Sequence, residues 1–158
     1  MYKTIKKLLF ICFMYFTIFG CFSFDRGRCD DCYILNEVVK NDKNTPVVLR
    51  RLHREGEDVD KSNSEGIAPI HMAATLDAHL VNVLLDLGAN INIVDDNGNT
   101  PLHYATGNCN ILTMKALLLR GADKKIKNKL GQLAIDYVYD DRCSGQKEQL
   151  LKTFKQKY

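Results

Sequence analysis

Residues 66–74 read GIAPIHMAA, and residues 98–106 repeat that pattern as GNTPLHYAT. A fainter third copy, GQLAIDYV, occupies residues 131–138. The first glycines of the three copies are 32 and 33 residues apart. A fixed period of this length indicates a repeat architecture, in which each unit buries its apolar face by stacking on its neighbours.

A second marker keeps the same period. Residues 84–90 read LLDLGAN, and residues 117–123 match them with LLLRGAD. Residues 52–56, LHREG, are an earlier copy at the same spacing. Because the two markers stay in phase, the sequence predicts four consecutive units from about residue 34 onward.

Each unit is predicted to be a pair of helices. Pro69 and Pro101 suit the first turn of a helix, where no backbone N–H is needed. Thr100 is the predicted N-cap of its helix. Ala68 takes the corresponding place one unit earlier, where the missing hydroxyl costs roughly 1 kcal/mol. Small residues on the inner helix and paired leucines on the outer helix then give each unit one apolar face.

Glycines mark the ends of these units. Gly88 and Gly121 follow the outer helices, where glycine adopts the left-handed backbone of a helix C-terminus without a Cβ penalty. Residues 95–98, DDNG, are the clearest turn signal in the chain. They close a connecting loop, here called a finger. The first, second and third fingers end at Gly66, Gly98 and Gly131.

These residues resemble the ankyrin repeat, whose pattern runs G-x-T-P-L-H-x-A-A and then L-L-x-x-G-A-D. The resemblance covers residues 34–158 and implies an all-α solenoid of helix-turn-helix units with short β-hairpin-like fingers. It divides the chain into an N-terminal cap repeat, two full repeats and a C-terminal cap repeat. Their predicted boundaries are 34–65, 66–97, 98–130 and 131–158.

The beginning of the chain differs in composition from the repeats. Lys3, Lys6 and Lys7 precede an uncharged apolar run over residues 8–19, the order typical of a secretory signal peptide. The predicted domains are therefore a leader at 1–23, a linker at 24–33 and the repeat domain. The leader contains three of the 22 Lys and Arg residues, so the remainder balances the 19 Asp and Glu residues. Near-neutral charge and export both argue against binding to nucleic acid.

The sequence leaves three alternatives open for the processing of the leader. Residues 18–21, IFGC, resemble a bacterial lipobox, which predicts lipidation of Cys21. Ordinary cleavage after Ser23 and an uncleaved membrane anchor are the other two outcomes. We expect a small exported protein, bacterial in origin, that is periplasmic, held on a membrane as a lipoprotein, or secreted. Contact with a membrane is expected only through the lipid or the uncleaved segment.

Histidines and cysteines are the residues that invite a chemical role. The resemblance implies a structural role for His71 and His103. In ankyrin repeats the histidine at this position typically hydrogen-bonds the backbone of the fingers. Two rings roughly 10 Å apart, the spacing of packed helices, do not share one zinc ion. No metal, cofactor or catalytic residue is predicted, and the chain is not expected to be an enzyme.

Two cysteine pairs are predicted to form disulfides in an oxidising compartment. Cys29 and Cys32 have a C-x-x-C spacing, for which a reduced pair, a redox role and a metal site are the alternatives. Cys109 and Cys143 both fall in the turn between inner and outer helices of adjacent units. Stacking would bring this second pair together.

Ankyrin-repeat proteins usually bind through the concave surface and the fingertips, so the resemblance implies a protein-binding module. Acidic residues on the second finger and basic residues on the third predict a bipolar row of fingertips. Tyr104 and Tyr137 are the predicted anchors of the interface. The complete set of predicted partner-binding residues is Met72, Thr75, Asp95, Asp96, Tyr104, Asn108, Lys125, Lys127, Tyr137 and Asp140.

The partner is predicted to be a protein of unknown identity, bound by a monomer. A bacterial immunity or inhibitor protein and a host-directed effector are two specific forms of this function. A redox or small-molecule-binding protein that uses Cys29 and Cys32 is the competing class, and it requires a thiol of low pKa.

Overall fold

The computed structural model describes residues 32–139, 143 and 145–156. This part of the chain contains seven α-helices and one 3-10 helix, and its β-structure is limited to an isolated bridge between Lys127 and Leu133. The α-helices are α1 (Tyr33–Lys40), α2 (Thr45–Arg54), α3 (Pro69–Leu76), α4 (Ala78–Asp86), α5 (Pro101–Gly107), α6 (Ile111–Leu119) and α7 (Lys147–Lys155). The 3-10 helix, Ala134–Tyr139, lies between α6 and α7.

The helices form four stacked pairs. The inner elements α1, α3, α5 and the 3-10 helix each contact the next inner element, and the outer helices α2, α4, α6 and α7 do the same. This arrangement confirms the predicted all-α repeat solenoid. The hydrophobic core is continuous along the stack, because each unit buries its apolar face against the next.

Small and large apolar residues divide the core as the pattern predicts. Ala73, Ala74 and Ala105 on the inner helices are completely buried. Leu84 and Leu117 on the outer helices are also completely buried. Small side chains let the inner helices approach closely, while the leucines fill the space between the two layers.

The inner elements α3, α5 and the 3-10 helix each begin with a side-chain cap at the same position of the repeat. Nδ1 of His71 accepts a hydrogen bond from the Ala68 backbone N–H at 3.0 Å, and Nδ1 of His103 accepts one from the Thr100 N–H at 3.1 Å. In the last unit Oδ2 of Asp136 accepts from the Leu133 N–H at 2.8 Å. Asp136 therefore takes the place of the histidine as the cap of this element.

Thr100 is the N-cap of α5, as predicted, but its hydroxyl does not cap a helix N–H. Instead, Thr100 Oγ1 lies 2.8 Å from Nδ1 of His103. Ala68 lacks this hydroxyl yet keeps the backbone bond to the next histidine. The histidine thus supplies the part of the cap that is common to both repeats.

The last inner element departs from the pattern of the full repeats. Residues 134–139 form a 3-10 helix, whereas α3 and α5 are α-helices. This unit has no proline at its first turn and contains Ile135, Tyr137 and Val138, which are weaker helix formers than alanine. The outer helix of this unit, α7, occupies Lys147–Lys155 and is an α-helix like the other outer helices.

An Asn or Asp side chain closes each finger. Asn63, Asp95 and Asn128 lie three residues before the finger glycines. Oδ1 of each accepts backbone N–H bonds from the residues two and four positions later, at 2.7–3.0 Å. The three fingers therefore share one rigid turn geometry.

Backbone hydrogen bonds also join successive fingers. The Asp96 N–H donates to the Glu65 carbonyl oxygen at 3.1 Å, and the Lys129 N–H donates to the Asn97 oxygen at 2.9 Å. Gly66 has a φ of +73°, and a Cβ built there would lie 2.7 Å from the Asp96 nitrogen. The close approach of the fingers thus requires glycine at this position. The glycines that end α4 and α6, Gly88 and Gly121, also have the predicted positive φ.

Candidate partner-binding surface

Two predicted anchors line one groove on the finger side of the stack. The groove has a volume of about 190 Å³ and lies between Tyr104 of α5 and Tyr137 of the 3-10 helix. Gly107 forms part of its wall, since a Cβ there would lie 3.3 Å from Cδ1 of Tyr137. We call it the tyrosine groove, and its lining residues are Asn99, His103, Tyr104, Gly107, Asn108 and Tyr137.

The hydroxyl groups of both tyrosines are bound within the protein. Tyr104 Oη donates to Oδ2 of Asp95 at 2.9 Å. Tyr137 Oη donates to Oδ1 of Asn99 at 3.1 Å and accepts from Nδ2 of Asn128 at 3.0 Å. Burial, reinforced by the Asp95 carboxylate, raises the pKa of Tyr104. The hydroxyls thus brace the fingers, and the half-buried rings remain at the surface.

The tyrosine rings also pack on the histidines of the preceding unit. The ring centroids of His71 and Tyr104 are 5.0 Å apart, and those of His103 and Tyr137 are 5.7 Å apart with the rings nearly perpendicular. These distances fit aromatic packing. Each of the two tyrosines is therefore held in place by a histidine ring against its own ring and by a hydrogen bond at its hydroxyl group.

His71 and His103 have the structural role predicted for them. Because Nδ1 accepts from a backbone N–H, the proton of each neutral ring is on Nε2. Nε2 of His71 lies 3.1 Å from the Asn99 oxygen, and that of His103 lies 3.2 Å from the Gln132 oxygen. Burial lowers the pKa of both rings, against the opposing effect of these carbonyl contacts.

A second groove, of about 360 Å³, lies between the first and second fingers. Glu65 and Asp96 are exposed on its rim, and Ile67 and Tyr104 contribute to its lining. We call it the acidic groove. Tyr104 lines both grooves and separates them, so they form adjacent parts of one surface.

Asp95 and Asp96 were both predicted to contact a partner, but their environments differ. Asp96 is exposed, whereas Asp95 is 6% exposed and its carboxylate binds the finger internally. Burial alone raises the pKa of Asp95, but hydrogen bonds from Asn99, Tyr104 and Asn97 outweigh that effect and hold the pKa below its usual value. The observed role of Asp95 is structural, and a direct role in partner binding stays a prediction.

The third finger carries the basic end of the surface. Lys125 and Lys127 are exposed, as the prediction of a bipolar row requires. Lys129 belongs to the predicted basic residues of this finger but not to the predicted partner-binding set, and Leu130, which is 81% exposed, belongs to neither. The phase of the repeat could have identified them, because they occupy the positions of Asp96 and Asn97 one unit later.

A family model described as "Ankyrin repeats (3 copies)" matches residues 35–128, which is more than half of the chain. The chain belongs to the ankyrin-repeat family. The matched region begins within α1, extends through α6, and includes the first two fingers and the first part of the third. Ankyrin repeats are protein–protein interaction modules, so membership supports a binding role at the coarse level.

Three relatives illustrate the similarity. Human BCL-6 corepressor-like protein 1 is 34% identical over 96 residues, covering 60% of this chain and 5% of that protein. The Caenorhabditis elegans Ankyrin repeat and LEM domain-containing protein 1 homolog is 40% identical over 62 residues, covering 39% and 9%. The Arabidopsis thaliana ADP-ribosylation factor GTPase-activating protein AGD4 is 34% identical over 90 residues, covering 56% and 11%.

This ankyrin-repeat chain spans only a small part of each relative, so the similarity concerns the repeats alone. All three relatives are eukaryotic, and they do not support the bacterial source that the leader suggested. The GTPase-activating function in the name of the plant protein is not transferred by a match to 11% of its length.

The remaining predicted residues lie elsewhere in the ankyrin domain. Thr75 and Asn108 line a groove of about 450 Å³ that extends to Lys115 of α6 and Gln146 beside α7. Asn108 therefore lies between this groove and the tyrosine groove. Met72 is partly buried on α3, and neither it nor Lys125 or Lys127 lines these grooves. Asp140 is outside the described residues.

The cysteine pair Cys109 and Cys143 is brought together as stacking predicted. The two sulfur atoms are in contact and the Cα atoms are 5.5 Å apart, a separation typical of disulfides. Cys32 is buried at the start of α1, with its sulfur 3.4 Å from the Ser62 oxygen. Cys29, Cys21 and the leader are outside the described residues, so the first disulfide, lipidation and processing stay predictions.

Residues 32–139, 143 and 145–156 contain no group of three or more His, Cys, Asp or Glu side chains placed to hold a metal ion. In the same ranges, each helix is too short or too polar to span a bilayer.

Proposed function

We propose that this ankyrin-repeat protein is a non-catalytic module that, as a monomer, binds another protein through its finger side. The binding surface comprises the acidic groove, the tyrosine groove and the third fingertip, and we call it the finger-side face. The main support for the proposal is the way the side chains of this face are held in position. Its tyrosines and fingers are held by internal hydrogen bonds, while charged and aromatic surface remains free to contact a partner.

Preorganisation is the physical reason that such a surface favours binding. A partner that docks on side chains already fixed in position loses less conformational entropy at the interface. Half-buried tyrosine rings also supply a large apolar contact area with few rotatable bonds. The histidines are occupied by backbone bonds, which supports a binding role over a catalytic one.

Site-specific photo-crosslinking tests this proposal in cells of the source organism. A photoreactive phenylalanine analogue at Asn108, which is exposed beside the tyrosine groove, should form an adduct with another protein. The matched control places the same analogue at Leu119, which is 66% exposed on α6. Equal adducts at the two positions, or adducts at Leu119 alone, would contradict the proposal.

We also propose that the protein is exported. The support is the order of Lys3, Lys6 and Lys7 before the uncharged run at 8–19. Mass analysis of the protein recovered from its source should show loss of the leader, with a lipid on Cys21 or a new terminus after Ser23. Substitution Cys21→Ser distinguishes these outcomes, because it abolishes only the lipidated form. Recovery of the full-length chain from the cytoplasm would refute export.

A further inference from the structure

The size of the tyrosine groove limits what it can hold. Its volume of about 190 Å³ is below the roughly 300–1,000 Å³ of sites that bind drug-sized ligands or cofactors. The aromatic rings of Tyr104 and Tyr137 and the bare backbone of Gly107 give it a partly apolar lining. The groove therefore fits one apolar side chain of a larger partner better than a small-molecule ligand.

Charges of opposite sign flank this groove. Glu65 and Asp96 lie on the side of the first and second fingers, and Lys127 and Lys129 lie on the third finger. All four side chains are exposed, and no ion pair joins any of them to another residue of the described part of the chain. The finger-side face thus presents unneutralised negative and positive charge on opposite sides of an apolar depression.

The inter-finger hydrogen bonds fix the separation of these charges. Because the Asp96 N–H binds the Glu65 oxygen and the Lys129 N–H binds the Asn97 oxygen, the fingers move little relative to one another. Successive stacked units are roughly 10 Å apart, the usual spacing of packed helices. The acidic pair and the basic finger are then separated by one to two such steps.

An extended peptide matches this spacing. Residues i and i+4 of a strand are about 13 Å apart at roughly 3.3 Å per residue, and residues i, i+2 and i+4 point to the same side. A helix advances only about 1.5 Å per residue, so about nine helical residues are needed to span the distance that five extended residues span. An extended segment is therefore the shortest ligand that places side chains at both charges and in the groove between them.

We propose that the finger-side face recognises an extended segment of its partner with a basic, an apolar and an acidic residue at positions i, i+2 and i+4. The basic side chain lies at Glu65 and Asp96, the apolar side chain enters the tyrosine groove, and the acidic side chain meets Lys127 and Lys129. This inference rests on the proposed function and specifies the chemistry of the ligand. Either chain direction satisfies it, because the side-chain order is defined relative to the fingers.

Four synthetic peptides test the inference by fluorescence anisotropy with the full chain in low salt. The cognate probe contains Arg-Thr-Leu-Thr-Glu between identical glycine and serine flanks. In the three controls Glu replaces Arg, Arg replaces Glu, or Gly replaces Leu. We expect each charge control to bind roughly fivefold more weakly, the upper range for an exposed ion pair. The Gly control should bind roughly tenfold more weakly, because an apolar side chain is lost from the groove.

Charge exchange on the protein supplies the decisive comparison. The variant Glu65→Lys/Asp96→Lys should prefer the peptide with Glu at both ends, and the preference should diminish at high salt. Gly107→Ala should weaken all leucine peptides by adding a methyl group beside Tyr137, while its effect on the Gly control is small. Unchanged thermal unfolding of both variants would show that the domain remains folded.

Two results would overturn the inference. One is equal binding of the four peptides or no measurable binding of the cognate peptide. The other is retention of the original peptide preference by the charge-exchanged variant. If the crosslink at Asn108 still forms in either case, the proposed binding function stands and only the chemistry assigned to its ligand is wrong. A helix or a second copy of this chain as the crosslinked species would likewise exclude the extended segment.

Discussion

The hydroxyl of Tyr104 donates a 2.9 Å hydrogen bond to the buried carboxylate of Asp95, the residue that closes the second finger. In the next unit, Tyr137 makes the corresponding contact with Asn128 at 3.0 Å. The same tyrosines line the tyrosine groove. The contact between Tyr104 and Asp95 thus links the stability of the second finger to the shape of the tyrosine groove.

The substitution Tyr104→Phe tests the stabilising part of this contact. It removes a hydrogen bond to a carboxylate and should lower the free energy of unfolding by about 1–2 kcal/mol. Tyr137→Phe is the matched control, because its hydroxyl binds uncharged amides and its loss should cost less. Urea unfolding of both variants is the measurement. An equal or larger loss for Tyr137→Phe would contradict the special contribution of Asp95.

The buried histidines predict a dependence of stability on pH. Burial lowers the pKa of His71 and His103 in the folded state below the unfolded value of 6.5, so the unfolded chain binds more protons as the pH falls. Their stabilising contribution should be complete above about pH 6.5 and should diminish as the pH falls below it toward the folded-state pKa. Denaturant unfolding at pH 7.5 and 5.5 measures this change. Equal free energies of unfolding at pH 7.5 and pH 5.5 would show that the folded protein does not hold the rings of His71 and His103 neutral.

Loss of the contact between Cys109 and Cys143 should weaken the attachment of the C-terminal cap. If the disulfide forms, it closes a loop of 34 residues and contributes about 3–4 kcal/mol in the chain-entropy account. Cys143→Ser, or reduction of the native protein, should lower the melting temperature accordingly. Peptide mapping without reductant checks the bond itself, and free thiols at both positions would refute it.

Thr113 provides a stabilising substitution. Its side-chain oxygen is the one buried polar side-chain atom of the described part of the chain that lacks a hydrogen-bond partner. Thr113→Val should raise the free energy of unfolding by about 1 kcal/mol, since a desolvated hydroxyl is replaced by a methyl group. Thr106→Val is the control, because the buried Thr106 hydroxyl donates to the Leu102 oxygen at 2.7 Å and its removal should destabilise. Thermal unfolding with changes of the same sign in both variants would contradict this assignment.

The sequence was sufficient to predict the stack because its markers report local requirements. Pro69 and Pro101 begin helices, and Gly88 and Gly121 adopt the positive φ that ends them. Such requirements involve neighbours along the chain and can be recognised without coordinates. The 3-10 conformation of residues 134–139 was not predicted, because it departs from the repeat only in the last unit.

The candidate site was less accessible to sequence reasoning because its contacts cross repeats. Tyr104 and Tyr137 were identified as anchors. Asp95 was predicted only as a partner-binding residue and Asn128 was not predicted, so the contacts of these two residues with the tyrosine hydroxyls were missed. A signal for those residues was present, since an Asn or Asp precedes every finger glycine by three positions. The repeat period alone does not show which side chain of one unit contacts which finger of another unit.

Amide hydrogen exchange at the fingertips tests in-register stacking most directly. Asp96 and Lys129 are exposed, and their N–H groups bind only the neighbouring finger, at 3.1 and 2.9 Å. If the units stack as described, both amides should exchange far more slowly than those of an unstructured chain, and Gly66→Ala should speed exchange at Asp96. Exchange of both amides at the unprotected rate in the native protein would contradict the stacked arrangement of the fingers.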